Sequence, residues 1–240
     1  LIPSWGNEAY VSQTATAAGA ASDIAQIGDL NIADVTQSGE AALSLVYQGT
    51  LGAGSAGNEA QVLQGGLLNE SQIQQDGVQN LALVYQDGLG DFSLIIQDGA
   101  LNGAQTEQTG ILNDSRVGQF GEGNTALTLQ SGFGAVSTIL QGYYIYSDYG
   151  TAGVLQRGDY ADSYIDQDGL YNEAYVVQSG DTETSSVSQT GILHLADVVQ
   201  SGSNDISDVL QTGHFTTAYV AQGGDNGGSN IAQSGFGNTA

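Results

Sequence analysis

Residues 80–99 read Asn80-Leu-Ala82-Leu-Val84-Tyr-Gln86-Asp-Gly88, then Leu89-Gly90, then Asp91-Phe-Ser93-Leu-Ile95-Ile-Gln97-Asp-Gly99. The stretch states one pattern twice. Each half is seven alternating residues closed by Gln-x-Gly, with Ala82 exchanged for Ser93 at an inner position. Alternation at two-residue steps puts every second side chain on one face, which is the signature of a strand.

Working outward, the pattern recurs twenty times, anchored on Gln at 13, 26, 37, 48, 64, 75, 86, 97, 108, 119, 130, 141, 156, 167, 178, 189, 200, 211, 222 and 233. The interval is 11 residues except for 13 after Gln13, 16 after Gln48 and 15 after Gln141. Two residues before each Gln stands Val or Ile, or Thr at Thr106 and Thr128, all β-branched residues suited to a pleated strand. Four residues before it, Ala and Ser alternate through all twenty units, from Ala9 and Ser22 to Ala218 and Ser229. The true repeat is therefore a 22-residue pair of non-identical strands, present ten times. Gly falls two residues after Gln in seventeen units, and the three units without it are the three with lengthened intervals. This match of turn chemistry to loop length predicts tight turns in which Gly takes a left-handed backbone.

An 11-residue period can also mark a helical supercoil. The two-residue apolar steps and a Gly in almost every unit exclude it here. The sequence predicts an all-β solenoid of two facing, parallel, in-register sheets, amyloid-like in its cross-β stacking. Residues 1–6 form an N-terminal extension, and 7–240 form a single domain of twenty strand units plus a partial twenty-first. Reversing one strand across the core sets Val84 opposite Ser93 and Ile95 opposite Ala82, so that small faces large in each layer. Inward amides close the two ends of the core: a Gln column that includes Gln75, Gln86, Gln97, Gln108 and Gln119, and an Asn column that includes Asn69, Asn80 and Asn102. Asp91, Ala135, His194 and Thr216 replace Asn in some coils. A buried amide must be matched, and identical amides at strand spacing are expected to bond up and down both columns.

Composition excludes several classes. Arg116 and Arg157 are the two basic residues against 26 acidic ones, a net charge of −24. That charge argues against nucleic acid and anionic lipid as partners, and no apolar run approaches the roughly 18 residues of a membrane span, so no membrane insertion is expected. Forty per cent apolar residues in strict alternation argue against disorder. There is no Cys and no Met, so neither a disulfide nor a thiolate site holds the fold. The missing Met predicts a processed, secreted chain. His194 lies in the Asn column and His214 in a turn, neither beside a second His, and the Ser column faces inward with no base next to it. The protein is read as non-enzymatic, with no cofactor and no catalytic or dedicated metal site. Asp76, Asp98 and Asp168 bring carboxylates to Gln-Asp-Gly turns. The nine-residue period of calcium-binding rolls is absent, so the acidic rows offer loose divalent-cation binding only. Two glycosylation sequons, at Asn69 and Asn113, are discounted because both Asn point inward. Outward apolar residues Leu81, Leu83, Tyr85, Phe92, Leu94 and Ile96 are candidates for lateral contact between filaments. The insertions 49–57 and 142–149 both follow even-numbered strands and should share one edge, four coils apart. The second carries Tyr143, Tyr144, Tyr146 and Tyr149 as candidate loop contacts with a filament or ligand.

These residues resemble the curlin repeat family, the building blocks of bacterial curli fibres, whose pattern is Ser-x5-Gln-x-Gly-x-x-Asn-x-Ala-x3-Gln. Gln75-Asp-Gly77-Val-Gln-Asn80-Leu-Ala82-Leu-Val84-Tyr-Gln86 reproduces its second portion, and Gln119-Phe-Gly121-Glu-Gly-Asn124-Thr-Ala126 does so again. The resemblance spans units from Asn7 to Ala240. The family's Ser six residues before Gln is not held; Ser stands four residues before it instead. The resemblance implies export through an outer-membrane secretion pore, a nucleator subunit at the bacterial cell surface, and assembly outside the cell into a functional amyloid of the biofilm matrix. The end units fit that reading. The first, Asn7-Glu-Ala9-Tyr-Val11-Ser-Gln13, carries Ala, and the last full one, Gly227-Gly-Ser229-Asn-Ile231-Ala-Gln233, carries Ser. A second copy would continue the alternation, so Asn7, Ala9, Val11, Gln13, Ser229, Ile231 and Gln233 are the expected joint of a head-to-tail polymer. Asn238-Thr239-Ala240 begins a twenty-first strand that either shares this joint or peels away. The alternative is a monomeric β-solenoid adhesin or binding protein with a flat face or divalent-cation rows.

Overall fold

The computed structural model describes residues 5–14, 16–49, 54–142 and 147–240. They form twenty-one strands, from β1 (Glu8–Gln13) to β21 (Gly228–Phe236), and no helix among the described residues. Odd and even units separate into two parallel sheets. The first holds ten strands, from β1 through β7 (Leu81–Gln86) to β20 (Thr217–Gln222). The second runs from β2 (Ala21–Gln26) through β4 (Leu43–Gln48), β8 (Phe92–Ala100), β10 (Asp114–Glu122) and β12 (Val136–Gln141) to β21. Every strand pairs with its equivalent in the next coil without slippage: Ala60, Ala82 and Ala104 align, as do Ser71, Ser93 and Ser115. A one-residue slip would turn the entire inward set outward, so the burial requirement holds the register.

The core is one side chain thick on each side. Ala82, Ser93 and Ile95 are fully buried and Val84 nearly so. The predicted small-against-large pairing is directly visible where Thr106 takes the Val position: its hydroxyl lies 3.3 Å from that of Ser115, the residue equivalent to Ser93. Burying each Val or Ile contributes roughly 1.5–3 kcal/mol, but one such residue per strand leaves the ends of the layer to polar groups.

The turns depart from expectation in two ways. Glycine was expected to supply a left-handed backbone two residues after Gln. It does so at Gly77 (φ 97°) and its equivalents after strands of the second sheet, but not at Gly180 and most of its equivalents after strands of the first. There Gly is required by space, since a Cβ on Gly180 would overlap the Gly202 carbonyl of the next coil. The left-handed residue common to both edges lies four positions after Gln, and large side chains fill it, including Leu30, Leu101, Leu112, Tyr160, Tyr171 and Phe215, with φ between 55° and 59°. These are held there because the following N–H ladder is over-determined; Leu112 N, for example, donates to Leu89 O of the preceding coil at 2.9 Å. The second difference is strand length. Strands such as β8 run nine residues, through Gln97-Asp-Gly99 to Ala100, so the turn on that edge is itself part of the ladder.

The strands that precede the insertions at 49–57 and 142–149, β4 and β12, lie four rungs apart in the same sheet, so both insertions leave it at the same edge. Within the second, an additional strand β13 (Ser147–Asp148) pairs with β10 and restores the ladder interrupted by the insertion. At the far end, the tail pairs with β20: Thr217 N donates to Asn238 O at 2.8 Å and Ala240 N to Thr217 O at 3.0 Å.

Candidate functional site

The repeat concentrates its chemistry in the stacked amides and in the two end coils. In the first sheet each Gln Nε2 donates to the Oε1 of the Gln one coil later, from Gln13 to Gln222, at 2.7–3.0 Å. The second sheet does the same from Gln26 to Gln233 at 2.8–2.9 Å. Gln75, Gln86, Gln97, Gln108 and Gln119 are all fully buried in these columns. The orientation of each amide is held by main-chain acceptors. Gln75 Nε2 also donates to Glu59 O at 2.9 Å and to Asn80 O at 3.1 Å, a place its oxygen could not occupy. Both columns therefore point the same way, donors toward the C-terminal end.

The Asn column departs from the expected amide ladder, which survives only where Asn58 Nδ2 reaches Asn31 Oδ1 at 3.2 Å among the described residues. Asn80 Oδ1 accepts from the main-chain N–H of Asn102 at 3.0 Å, while its Nδ2 donates to Asp76 O at 2.9 Å and Gly99 O at 3.2 Å. Asn69 behaves alike: Oδ1 accepts from Asp91 N, and Nδ2 donates to Gly65 O and Gly88 O. Asn102 Oδ1 receives Asn124 N, and its Nδ2 reaches Gly121 O. The reason is length. Asn is one methylene shorter than Gln and sits at the turn, so it satisfies main-chain groups that the turn would otherwise strand. His194 continues this column in its own fashion, with Nδ1 2.7 Å from Thr216 Oγ1 and Nε2 3.2 Å from Thr190 O, and burial lowers its pKa. The inward Ser hydroxyls carry no such network: those of Ser44, Ser71, Ser93, Ser137, Ser163, Ser185 and Ser207 are buried without a hydrogen-bond partner. A nucleophile needs a base within reach, and none contacts them.

The residues expected at a joint lie in the end coils. Val11 is 51% exposed, whereas Val35, its equivalent one coil later, is 0% exposed. Ala9 and Gln13 are exposed with it, and Asn7 is half-buried, with its Oδ1 accepting from Asn31 N at 2.9 Å. At the other end Ser229 and Ile231 are half-buried, while Gln233 remains buried. The structure adds Gln26 and Gln222, the other two terminal amides. The twenty-unit Gln count contained this signal, since each coil has two Gln and both must end where the stack ends.

Tyr143, Tyr144 and Tyr146 lie outside the described residues. Tyr149 is 46% exposed and stacks on Tyr171 with ring centroids 5.3 Å apart and planes 10° from parallel. It thus belongs to the left-handed turn column, which sequence reasoning missed; its signal is a bulky residue recurring four positions after Gln. Asp76 and Asp98 are in register on adjacent coils, and among the described residues no group of three or more His, Asp or Glu side chains converges as a metal site. Of the sequon residues, Asn69 is fully buried and Asn113 nearly so.

Residues 164–191, which begin within β15 (Asp162–Leu170), include β16 (Glu173–Gln178) and end within β17 (Thr184–Ile192), match the family model described as the curlin associated repeat. The match supports a curlin-repeat assignment. No curated protein matches the chain.

Proposed function

We propose that this chain, which carries the curlin associated repeat, is a structural subunit of an extracellular curli-like amyloid fibre and polymerises head to tail by strand stacking. The observation that supports this most is the contrast between the ends and the middle. Val11 and its neighbours occupy core positions in every respect except that nothing covers them. Edge strands with unpaired main-chain groups recruit further strands, and a second copy in register would bury Val11 as Val35 is buried. The one-way amide columns add polarity. The N-terminal face ends in the Gln13 and Gln26 carbonyls, and the C-terminal face ends in the Gln222 and Gln233 N–H groups, beside a tail that pairs with the start of β20 and that an incoming β1 must displace. Head-to-tail stacking matches donor to acceptor; head-to-head stacking sets acceptor against acceptor. Export through an outer-membrane pore, a nucleating subunit and a place in the biofilm matrix complete the reading. A chain of this kind contributes adhesion and scaffold rather than catalysis.

Val11→Pro and Ile231→Pro test it. Proline removes an N–H and restricts φ in the end strands while the inner coils remain intact. Both variants should fold, as judged by circular dichroism, yet fail to extend preformed seeds in thioflavin fluorescence and electron microscopy. Normal seeded elongation by both variants refutes the joint.

A further inference from the structure

In the second sheet's Asn column, three acids stand in place of the amide: Asp91, Glu183 and Asp205. At Asn69 the side chain accepts a main-chain N–H through Oδ1 and donates through Nδ2 to two turn carbonyls, Gly65 O at 2.8 Å and Gly88 O at 3.2 Å. Asp91 occupies the same place one coil later and is 1% exposed. Its Oδ1 does what the Asn oxygen does, accepting from Asn113 N at 2.9 Å. Its Oδ2 fills the position of the donor Nδ2 and has no hydrogen-bond partner. A Cβ on Gly88 would overlap both this oxygen and the Gly110 carbonyl, the counterpart of the Gly88 carbonyl that Asn69 bonds. An ionised carboxylate would point an unpaired, desolvated oxygen at a carbonyl oxygen. A neutral acid would instead present an O–H donor where the amide presents N–H.

Asp205 repeats this arrangement, its Oδ1 accepting from Gly227 N of the next coil at 2.6 Å and its Oδ2 without a partner; Glu183, four coils after Asp91, is bonded instead within its own turn. It is fully buried, Oε2 accepts from Gly180 N at 3.0 Å, and Oε1 has no partner. A Cβ on Gly180 would lie 2.8 Å from that oxygen and would overlap Gly202 O.

We infer that Asp91 and Glu183 are held in the folded solenoid as neutral carboxylic acids, Asp91 in direct imitation of the Asn amide, making closure of their coils favoured by mild acid. No cation compensates either group. The charged and titratable groups on elements packed around Asp91 include Glu70, Asp87, Glu107 and Asp114, with Asp76, Asp98 and Glu122 at the far ends of their strands, and the one cation, Arg116, is engaged with Asp114 at 2.8 Å. Around Glu183 they include Asp159, Asp162, Asp181, Asp205 and Asp208, and the one Arg or Lys in the neighbouring turns, Arg157, is exposed. Burial pushes Asp91 up from 3.8 to about 6, against the lowering effects of Asn113 through its main-chain N–H and its side-chain amide. Burial also raises Glu183, with Asp205 and Asp181 adding to the effect.

The folded state thus binds protons more tightly than the unfolded chain. The contribution is fully present below the unfolded value near 4 and is lost as pH rises through about 6. For Asp91 alone the displacement corresponds to about a hundredfold in the folding equilibrium. The effect on assembly rests on the fibre reading above, whereas the effect on folding does not.

The test compares the full-length wild type with Asp91→Asn, Glu183→Gln and the double variant, in denaturant unfolding of the unassembled chain between pH 4 and pH 8. Asp166, which burial and then Asp168 raise to about 6, titrates in the same window in all four proteins, so the differences between proteins carry the result. Asp91→Asn should equal wild type near pH 4 and exceed it by roughly tenfold to a hundredfold at pH 8. The infrared spectrum of the folded wild type at pH 5 should show protonated-carboxyl C=O stretches that each substitution diminishes. A pH-independent difference between wild type and variant overturns the inference, as does a spectrum at pH 5 unchanged by both substitutions. Wild-type stability at pH 8 that rises with added calcium, and does not in Asp91→Asn, assigns the pocket to a cation instead and also overturns it. Seeded growth is scored separately, so failure of fibre formation with the expected unfolding differences rejects the fibre reading alone.

Discussion

Replacing Gln97 by Ala removes one rung from the middle of a column whose members brace both sheets. Gln97 Oε1 accepts from Gln75 at 2.9 Å, and Nε2 donates to Gln119 Oε1 at 2.8 Å, Leu81 O at 2.9 Å and Asn102 O at 3.1 Å. Three of these bonds are buried and the one to Leu81 O is part-buried; at about 1 kcal/mol per bond the substitution should cost about 3–4 kcal/mol. Gln13→Ala is the internal control. Gln13 is exposed and makes two bonds, to Ala20 O at 3.2 Å and Gln37 Oε1 at 2.7 Å, with water available to replace them. Its loss should cost less than about 1 kcal/mol. Stacked coils can open separately, so chemical unfolding by circular dichroism should be joined to amide exchange, which reads the loss at the coils flanking Gln97. If Gln97→Ala and Gln13→Ala destabilise equally, the columns are ornaments of the turns and not structural braces.

Two further substitutions probe the packing. Ser93→Leu crowds a branched side chain into a filled layer and should cost about 1–3 kcal/mol, while Phe92→Leu, on the outward face under the Arg116 guanidinium 5.9 Å from the ring centroid, should change stability little; equal unfolding midpoints would mean that the inward set is misassigned. Gly180→Ala forces a Cβ into the Gly202 carbonyl, whereas Gly224→Ala meets nothing within 4 Å. The first should shift the unfolding transition to lower denaturant and the second should leave it in place, although neither glycine has a left-handed φ.

The period, the strand assignment, the inward set and the separation of odd from even units were legible in the residues around Asn80–Gly99, because a side chain's face follows from strand alternation and each coil repeats its predecessor. The same arithmetic placed both long insertions on one edge. What alternation does not contain is the direction of a bond. Gln and Asn are both amides in inward columns, and their sequence registers look alike; the tertiary structure distinguishes them because one extra methylene lets Gln reach the neighbouring amide while Asn reaches the main chain of the turn. Nor does sequence say why a glycine recurs from coil to coil: at both Gly77 and Gly180 the carbonyl of the glycine 22 residues on leaves no room for a Cβ, and at Gly77 a left-handed backbone demands glycine as well. The left-handed conformation of Leu112 and Tyr171 runs against their local preference and arises from the stacked N–H ladder that holds them. Sequence determined the repeat unit of this protein, since that depends on each strand's own alternation. The meaning of each polar side chain within it was decided by what the next coil places 4.8 Å above, roughly one strand spacing away.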